Sequence, residues 1–381
     1  MTLLLVVVGG GCLVSVVGCG VDHAYPFRAL HPDAGTDVVT DVGVGVGGRG
    51  SGGSNGAGGA DGGGTDVPPP PCPPVTQVGY SMMGTGTTGG AGGPMVVVSN
   101  LAQLQAQAAV VGPLIIAIHG TIDVAAGGLT PPQIEVASDK TIVAAEPGAG
   151  LLNGGFFIKS AHNIIIHNLT ITKPRYPSDG VGIQTSTNIW VDHCELSSDT
   201  TSPKTTYDGL VDVTHGSDYV TISWNRFHDH IGTSLVGHSQ TNAAEDTGHL
   251  TVTYHHNLFQ RTPSGSPRTR FGHVHVFSNH YQNVDAYAVG TESGGTLLVE
   301  GNVFDQVAVP IENNVEDADT SGNPLLGFAF DLDNLYSPVT SQSNNKIAGW
   351  NNWTPPYVYN ADVKDSVRVI VDTCAGVNAV P

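Results

Sequence analysis

Six stretches of this chain echo one another, and that repetition restricts the fold more than any other feature. They align on a column of small polar residues: Asn168, Cys194, Asn225, Asn257, Asn279 and Asn302. Three positions earlier stand Ile165, Val191, Ile222, Tyr254, Val276 and Val299. Five positions earlier stand Asn163, Ile189, Val220, Val252, Val274 and Leu297. Two positions later the last five copies carry Leu196, Phe227, Phe259, Tyr281 and Phe304. Apolar residues two apart, flanked by polar ones, have the period of a half-buried strand. Copies that recur every 22 to 32 residues or so predict a solenoid, in which each coil buries its face only against its neighbours. Each copy holds strands and no helical stretch, so the expected fold is all-β, a parallel β-helix. Such a fold presents residues from successive coils in a row on one outer face, a geometry that suits an extended polymer.

The chain has 381 residues, with 51 Gly and 24 Pro concentrated towards its start. Residues 43–64 are nearly all small, and residues 68–74 form a proline run around Cys72. The first stretch cannot bury enough apolar surface to fold, and the second favours extended polyproline geometry. Residues 20–74 therefore read as a tether, and the ordered domain is expected over 75–381. Residues 1–19 are apolar, long enough for a membrane span to compete, but no cluster of Lys or Arg follows. An export signal is the expectation. Val16, Val17, Gly18 and Cys19 resemble the cleavage box of bacterial lipoproteins, with Cys19 as a lipid anchor, although no basic residues precede the apolar core. A secreted or cell-surface protein follows. Of the other cysteines, Cys12 lies in the leader and Cys194 in the polar column, where a packed thiol is expected. Cys72 and Cys374 flank the domain, and the sequence leaves their pairing open.

Charge narrows the partners. With 14 basic residues against 33 acidic ones, the net charge is −19. Nucleic acid is a poor partner for such a surface. A polyanionic sugar is repelled too, unless a bound divalent cation reverses the local sign.

Three aspartates could hold such an ion. Asp179 lies just before the coil of residues 188–196, and Asp208 and Asp212 just before the coil of 218–227. At matching places in neighbouring coils they can converge, and Asp208 and Asp212 share parity along an expected strand. Oxygen-only donors suit Ca²⁺ better than zinc. Solvated loop aspartates are the competing reading. Arg261, Arg268 and Arg270 fall within ten residues, in a chain of eight arginines. Arginine grips carboxylates through paired hydrogen bonds; the alternative is a set of salt bridges that lock the loop to the wall. Asp192 with His193 reads as a hydrogen-bonded structural pair, and His255 and His256 as packing or turn-bonding residues.

Together these stretches resemble the family-one pectate lyases. The matching segments are NIWVDHCEL (188–196), YDGLVDV (207–213), VTISW (220–224), SLVGH (234–238), TYHHN (253–257) and PRTRFG (267–272), with weaker echoes across 75–381. The resemblance implies a right-handed single-stranded parallel β-helix and Ca²⁺-dependent β-elimination of polygalacturonate. Asp179, Asp208 and Asp212 match the family's calcium ligands, and Arg270 its substrate-binding arginine, with Arg268 beside it. Two positions depart: Gly265 stands where the family has its proton-abstracting arginine, and Gly232 where it has a substrate lysine. Arg261, in an Arg-Thr-Pro pattern four residues early, or Arg268 is then the candidate replacement base. The expectation is a monomeric, calcium-dependent pectate lyase. The rival is a polyuronate-binding protein that has lost the base, and a lyase of esterified pectin is disfavoured because the acidic positions are kept.

Overall fold

A computed structural model describes residues 71–313, 315, 326–338 and 353–377. The leader with Cys12 and Cys19, and the tether up to residue 70, lie outside the described residues.

Each central coil contributes three strands. Thr187–Asp192, Glu195–Ser197 and Val211–Thr214 make one coil; Asp218–Ser223, Arg226–His228 and Leu235–Val236 make the next. Thr251–His255, Leu258–Gln260 and Arg268–Arg270 follow. First strands of successive coils pair into a ten-stranded parallel sheet, the first wall. Second and third strands build two more walls, which join into one fifteen-stranded sheet because His280–Glu292 runs as a single strand through both. The chain is thus a right-handed parallel β-helix, as the repeats predict.

The alternation read from the sequence becomes an internal stack. Ile189, Val220, Val252, Val274 and Leu297 lie in register along the first wall, and all are fully buried. In the second wall the rings of Phe227, Phe259, Tyr281, Phe304 and Tyr336 stack at 4.8 to 5.3 Å, nearly parallel. Such pairs contribute about 0.5–1.5 kcal/mol each beyond their burial.

Between these walls runs the polar column. Asn225 Nδ2 donates to Asn257 Oδ1 (3.0 Å), Asn257 to Asn279 (3.0 Å), Asn279 to Asn302 (2.9 Å) and Asn302 to Asn334 (2.9 Å). Each amide also donates to a main-chain carbonyl one coil back. A buried amide without partners costs about 1–3 kcal/mol, so the column holds together as a set. Cys194 ends it: its N–H donates to Asn225 Oδ1, and burial pushes its thiol up to about 12. It is a packed, unreactive cysteine, as expected.

Two details of the repeat reading change. The first copy is shifted by one residue: Ile189 pairs with Ile164 and Val191 with Ile166, which puts Leu169, not Asn168, in line with Cys194. Asn168 instead occupies the corner before the column, at φ 56°, where His193, Trp224 and His256 also take positive φ. Asparagine tolerates that left-handed conformation, and its presence there mimicked the column. A further copy was also missed. Ala329, Asp331, Asn334 and Tyr336 continue the pattern, but Asp331 breaks its apolar signature.

The outer faces of the first and second walls are partly covered. Tyr80 and Ser81 donate main-chain N–H groups to Thr253 and Thr221. The helix Lys364–Cys374 packs Val367 and Val371 on Leu258 and Val303. A disulfide joins its last residue, Cys374, to Cys72, with Cα atoms 5.5 Å apart. The connections between second and third strands carry Asp179, Asp208 and Arg261, and the third strands themselves carry Asp212, Arg268 and Arg270.

Candidate active site on the third wall

Asp179 precedes the third-wall strand Val181–Gln184, and Asp208 and Asp212 belong to the next coil, around Val211–Thr214. Gly182 faces Asp212 in register, and a Cβ at Gly182 would come within 2.9 Å of Asp179 Oδ2. A Cβ at Gly209 would come within 2.3 Å of Asp212 Oδ1. Gly182 and Gly209 therefore leave room for the carboxylates of Asp179 and Asp212, and Asp179, Asp208 and Asp212 are each half-buried. The expected shared parity of Asp208 and Asp212 does not hold. Asp208 lies before the strand, separated from it by Gly209 and Leu210, and Gly209 N–H donates to Asp208 Oδ1 (3.1 Å). Leu235 N–H donates to Asp212 Oδ1 (3.0 Å). Asp208 and Asp212 are thus each braced by a main-chain N–H, and the three carboxylates offer oxygen donors of the type a hard cation takes.

Along the same wall, Val213 pairs with Val236 and Leu235 with Arg268. Asp212 and Arg268 thus lie in one row, two strand spacings or about 10 Å apart. Arg268 Nε and Nη2 each lie 2.8 Å from Glu292 Oε1, and Arg270 Nε lies 2.6 Å from the same oxygen. Arg270 Nη1 also donates to Gly237 O (3.0 Å). All three side chains are buried. The salt-bridge alternative raised for these arginines is what the structure displays. Arg261 is placed differently. Its Nε and Nη2 pair with both oxygens of Asp229 at 2.5 and 2.7 Å, in the corner after the second wall. That pair holds Asp229 down to about 2. The structure brings Arg268 and Arg270 together and commits Arg261 to Asp229.

Gly265 and Gly232 both take positive φ, 67° and 78°. A Cβ at Gly232 meets nothing within 4 Å, and one at Gly265 would lie 3.7 Å from Arg268 Cβ and 3.7 Å from Tyr287 Oη. Glu292 and Tyr287 were missed in the sequence. Both come from the strand His280–Glu292, one coil beyond the arginines, and no local pattern marks that pairing.

Histidines cluster on the outer face of the first wall and at its corner. Asp192 accepts from His193 (2.6 Å), His167 (3.0 Å) and Ser223. Burial opposes its charge, but these hydrogen bonds prevail and hold its carboxyl below the usual range. His193, Trp224 and His256 stack outside the corner. Burial lowers His255 and His275 and keeps them neutral near pH 7.

A three-walled parallel β-helix with acidic residues and an arginine pair on one wall is the architecture of a polysaccharide lyase. The chain belongs to the pectate lyase family, whose model matches residues 72–378. It is 41% identical over 228 residues to a probable pectate lyase B of Aspergillus flavus, covering 60% of this chain and 68% of that one. It is 40% identical over 257 residues to pectate lyase B of Colletotrichum gloeosporioides, covering 62% and 75%. Among solved structures it resembles a pectate lyase from Bacillus sp. N165 in complex with trigalacturonate. There the TM-score is 0.67 and the identity 28%, over 79% of this chain and 99% of that chain.

Proposed function

We propose that this protein is an exported pectate lyase that cleaves polygalacturonate by β-elimination with Ca²⁺ held by Asp179, Asp208 and Asp212. One observation carries the reading: Asp212 and Arg268 stand in one row of the third wall, two coils apart, with Asp179 and Asp208 near the first and Arg270 and Glu292 beside the second. A uronate polymer laid along that row meets a carboxylate cradle at one end and guanidinium charge at the other. A bound Ca²⁺ supplies charge to hold the uronate carboxylate and to make its C5 proton more acidic. The chain's own residues bind and orient. Arg268 and Arg270, braced by Glu292, keep positive potential on the wall without swinging freely. The disulfide between Cys72 and Cys374 suits an oxidising compartment, in keeping with export.

The rival reading, a polyuronate-binding protein without catalysis, is favoured by Gly265 and Gly232, which place no side chain at two positions of the loops over this row. One assay separates the two. The protein is incubated with polygalacturonate at alkaline pH, with Ca²⁺ and then with chelator, and the ultraviolet absorbance of unsaturated product is followed. Chelator-sensitive product growth is expected; calcium-dependent binding without product establishes the rival.

A further inference from the structure

Arg268 and Arg270 are committed to Glu292, and Arg261 to Asp229. A guanidinium held by a carboxylate is a poor acceptor for a carbon-bound proton, so the row needs another group that can exchange one. Tyr287 lies there. Its strand, His280–Glu292, shifts register by one residue against Val303–Glu312 between Val284 and Tyr287. Such a bulge re-aims the side chain that follows it. A Cβ at Gly290 would come within 2.6 Å of Tyr287 Cε2, so the ring lies over Gly290, and Gly290 pairs with Arg268 in register. The hydroxyl then stands 3.7 Å from where a Cβ of Gly265 would be, a point itself 3.7 Å from Arg268 Cβ. The ring is half-buried.

We propose that Tyr287 is the catalytic base of the elimination, its hydroxyl serving in the space that Gly265 leaves open beside Arg268. This rests on the lyase reading of the same row. In the step, Tyr287 Oη, deprotonated, takes the C5 proton. The C5 electron pair forms the C4–C5 double bond, the bond from C4 to the glycosidic oxygen breaks, and that oxygen takes a proton from water. Arg268 Cβ borders the same space, so Arg268 keeps its hold on Glu292 throughout the step. The two glycines acquire a purpose. Gly290 makes room for the ring, and Gly265 makes room above the hydroxyl.

The test is Tyr287→Phe in the full chain, with two readouts: the rate of unsaturated product from polygalacturonate, and the affinity for trigalacturonate in the presence of Ca²⁺. The expected result is a fall in kcat of about 10²–10⁴-fold, with trigalacturonate affinity and melting temperature close to those of the unsubstituted protein. Undiminished kcat overturns the assignment to Tyr287 and leaves the lyase reading standing. An equal loss of rate and affinity also overturns it, because the ring then only shapes the binding surface. If the unsubstituted protein itself makes no product, the lyase reading fails and the assignment falls with it.

Discussion

Glu292 is the residue whose replacement is most informative about how the row is held together. Its side chain is 0% exposed, and the Arg268 and Arg270 side chains that meet its Oε1 are 8% and 3% exposed. Water cannot take over the role of the carboxylate at such burial. Removing one partner from a buried charge pair costs about 3–5 kcal/mol. Glutamine keeps an oxygen acceptor, so Glu292→Gln is expected near the lower bound, about 3 kcal/mol. For a domain of this size that corresponds to a melting temperature lower by about 6 °C. The comparison variant is Arg261→Ala. Its pair with Asp229 is geometrically as good, but the Arg261 side chain is 47% exposed, and such pairs contribute about 0–1 kcal/mol. Both variants are measured by equilibrium urea unfolding and by calorimetry, with chelator present so that metal binding adds nothing. The same substitution raises the net charge of the arginine group by one. Trigalacturonate affinity should therefore strengthen at low salt and converge with the unsubstituted value as salt screens the row. A Glu292→Gln protein that melts within about 1 °C of the parent, or an Arg261→Ala protein that loses as much, refutes the reasoning.

Acid should weaken the fold before its carboxylates titrate. Burial holds His230 down at about 4, well under its ordinary 6.5. As pH falls from about 6.5 towards 4, the unfolded chain takes up a proton that the folded chain refuses, so stability drops across that window. Buried His255 and His275 act in the same direction. His230→Asn should flatten part of that decline in urea midpoints taken from pH 7 to pH 4; an unchanged slope would contradict it. Cutting the Cys72–Cys374 link by Cys374→Ser should destabilise by about 2–5 kcal/mol, since the two cysteines are separated by 302 positions in sequence. Amide exchange should show the helix Lys364–Cys374 opening ahead of the coils; equal protection throughout would count against a separate docking role.

What was legible in the sequence follows from which contacts are periodic. The wall positions Ile189, Val220, Val252, Val274 and Leu297 repeat because each touches its counterpart one coil away, so their alignment is also their contact map. The first copy misled because Asn163 and Asn168 occupy left-handed corners that favour the same residue type as the column. The last copy hid behind Asp331, which accepts from Asn334 and Tyr336 instead of joining the apolar face. The acidic cluster was legible as residue types near adjacent coils, but its geometry depends on Gly182 and Gly209, whose missing Cβ atoms clear space for carboxylates from other positions. Glu292 and Tyr287 left no local trace. They reach the arginines only because strand Arg268–Arg270 pairs with the far end of His280–Glu292.

The most direct measurement is a calcium titration of the full chain, followed by calorimetry with and without trigalacturonate, in the parent and in Asp208→Ala and Asp212→Ala. Uptake of Ca²⁺ that strengthens with the sugar and is lost in both variants is the predicted outcome. Heat-silent titrations with the sugar present, or uptake indifferent to both aspartates, would contradict the claim that these carboxylates carry the ion that holds an acidic polymer on an acidic wall.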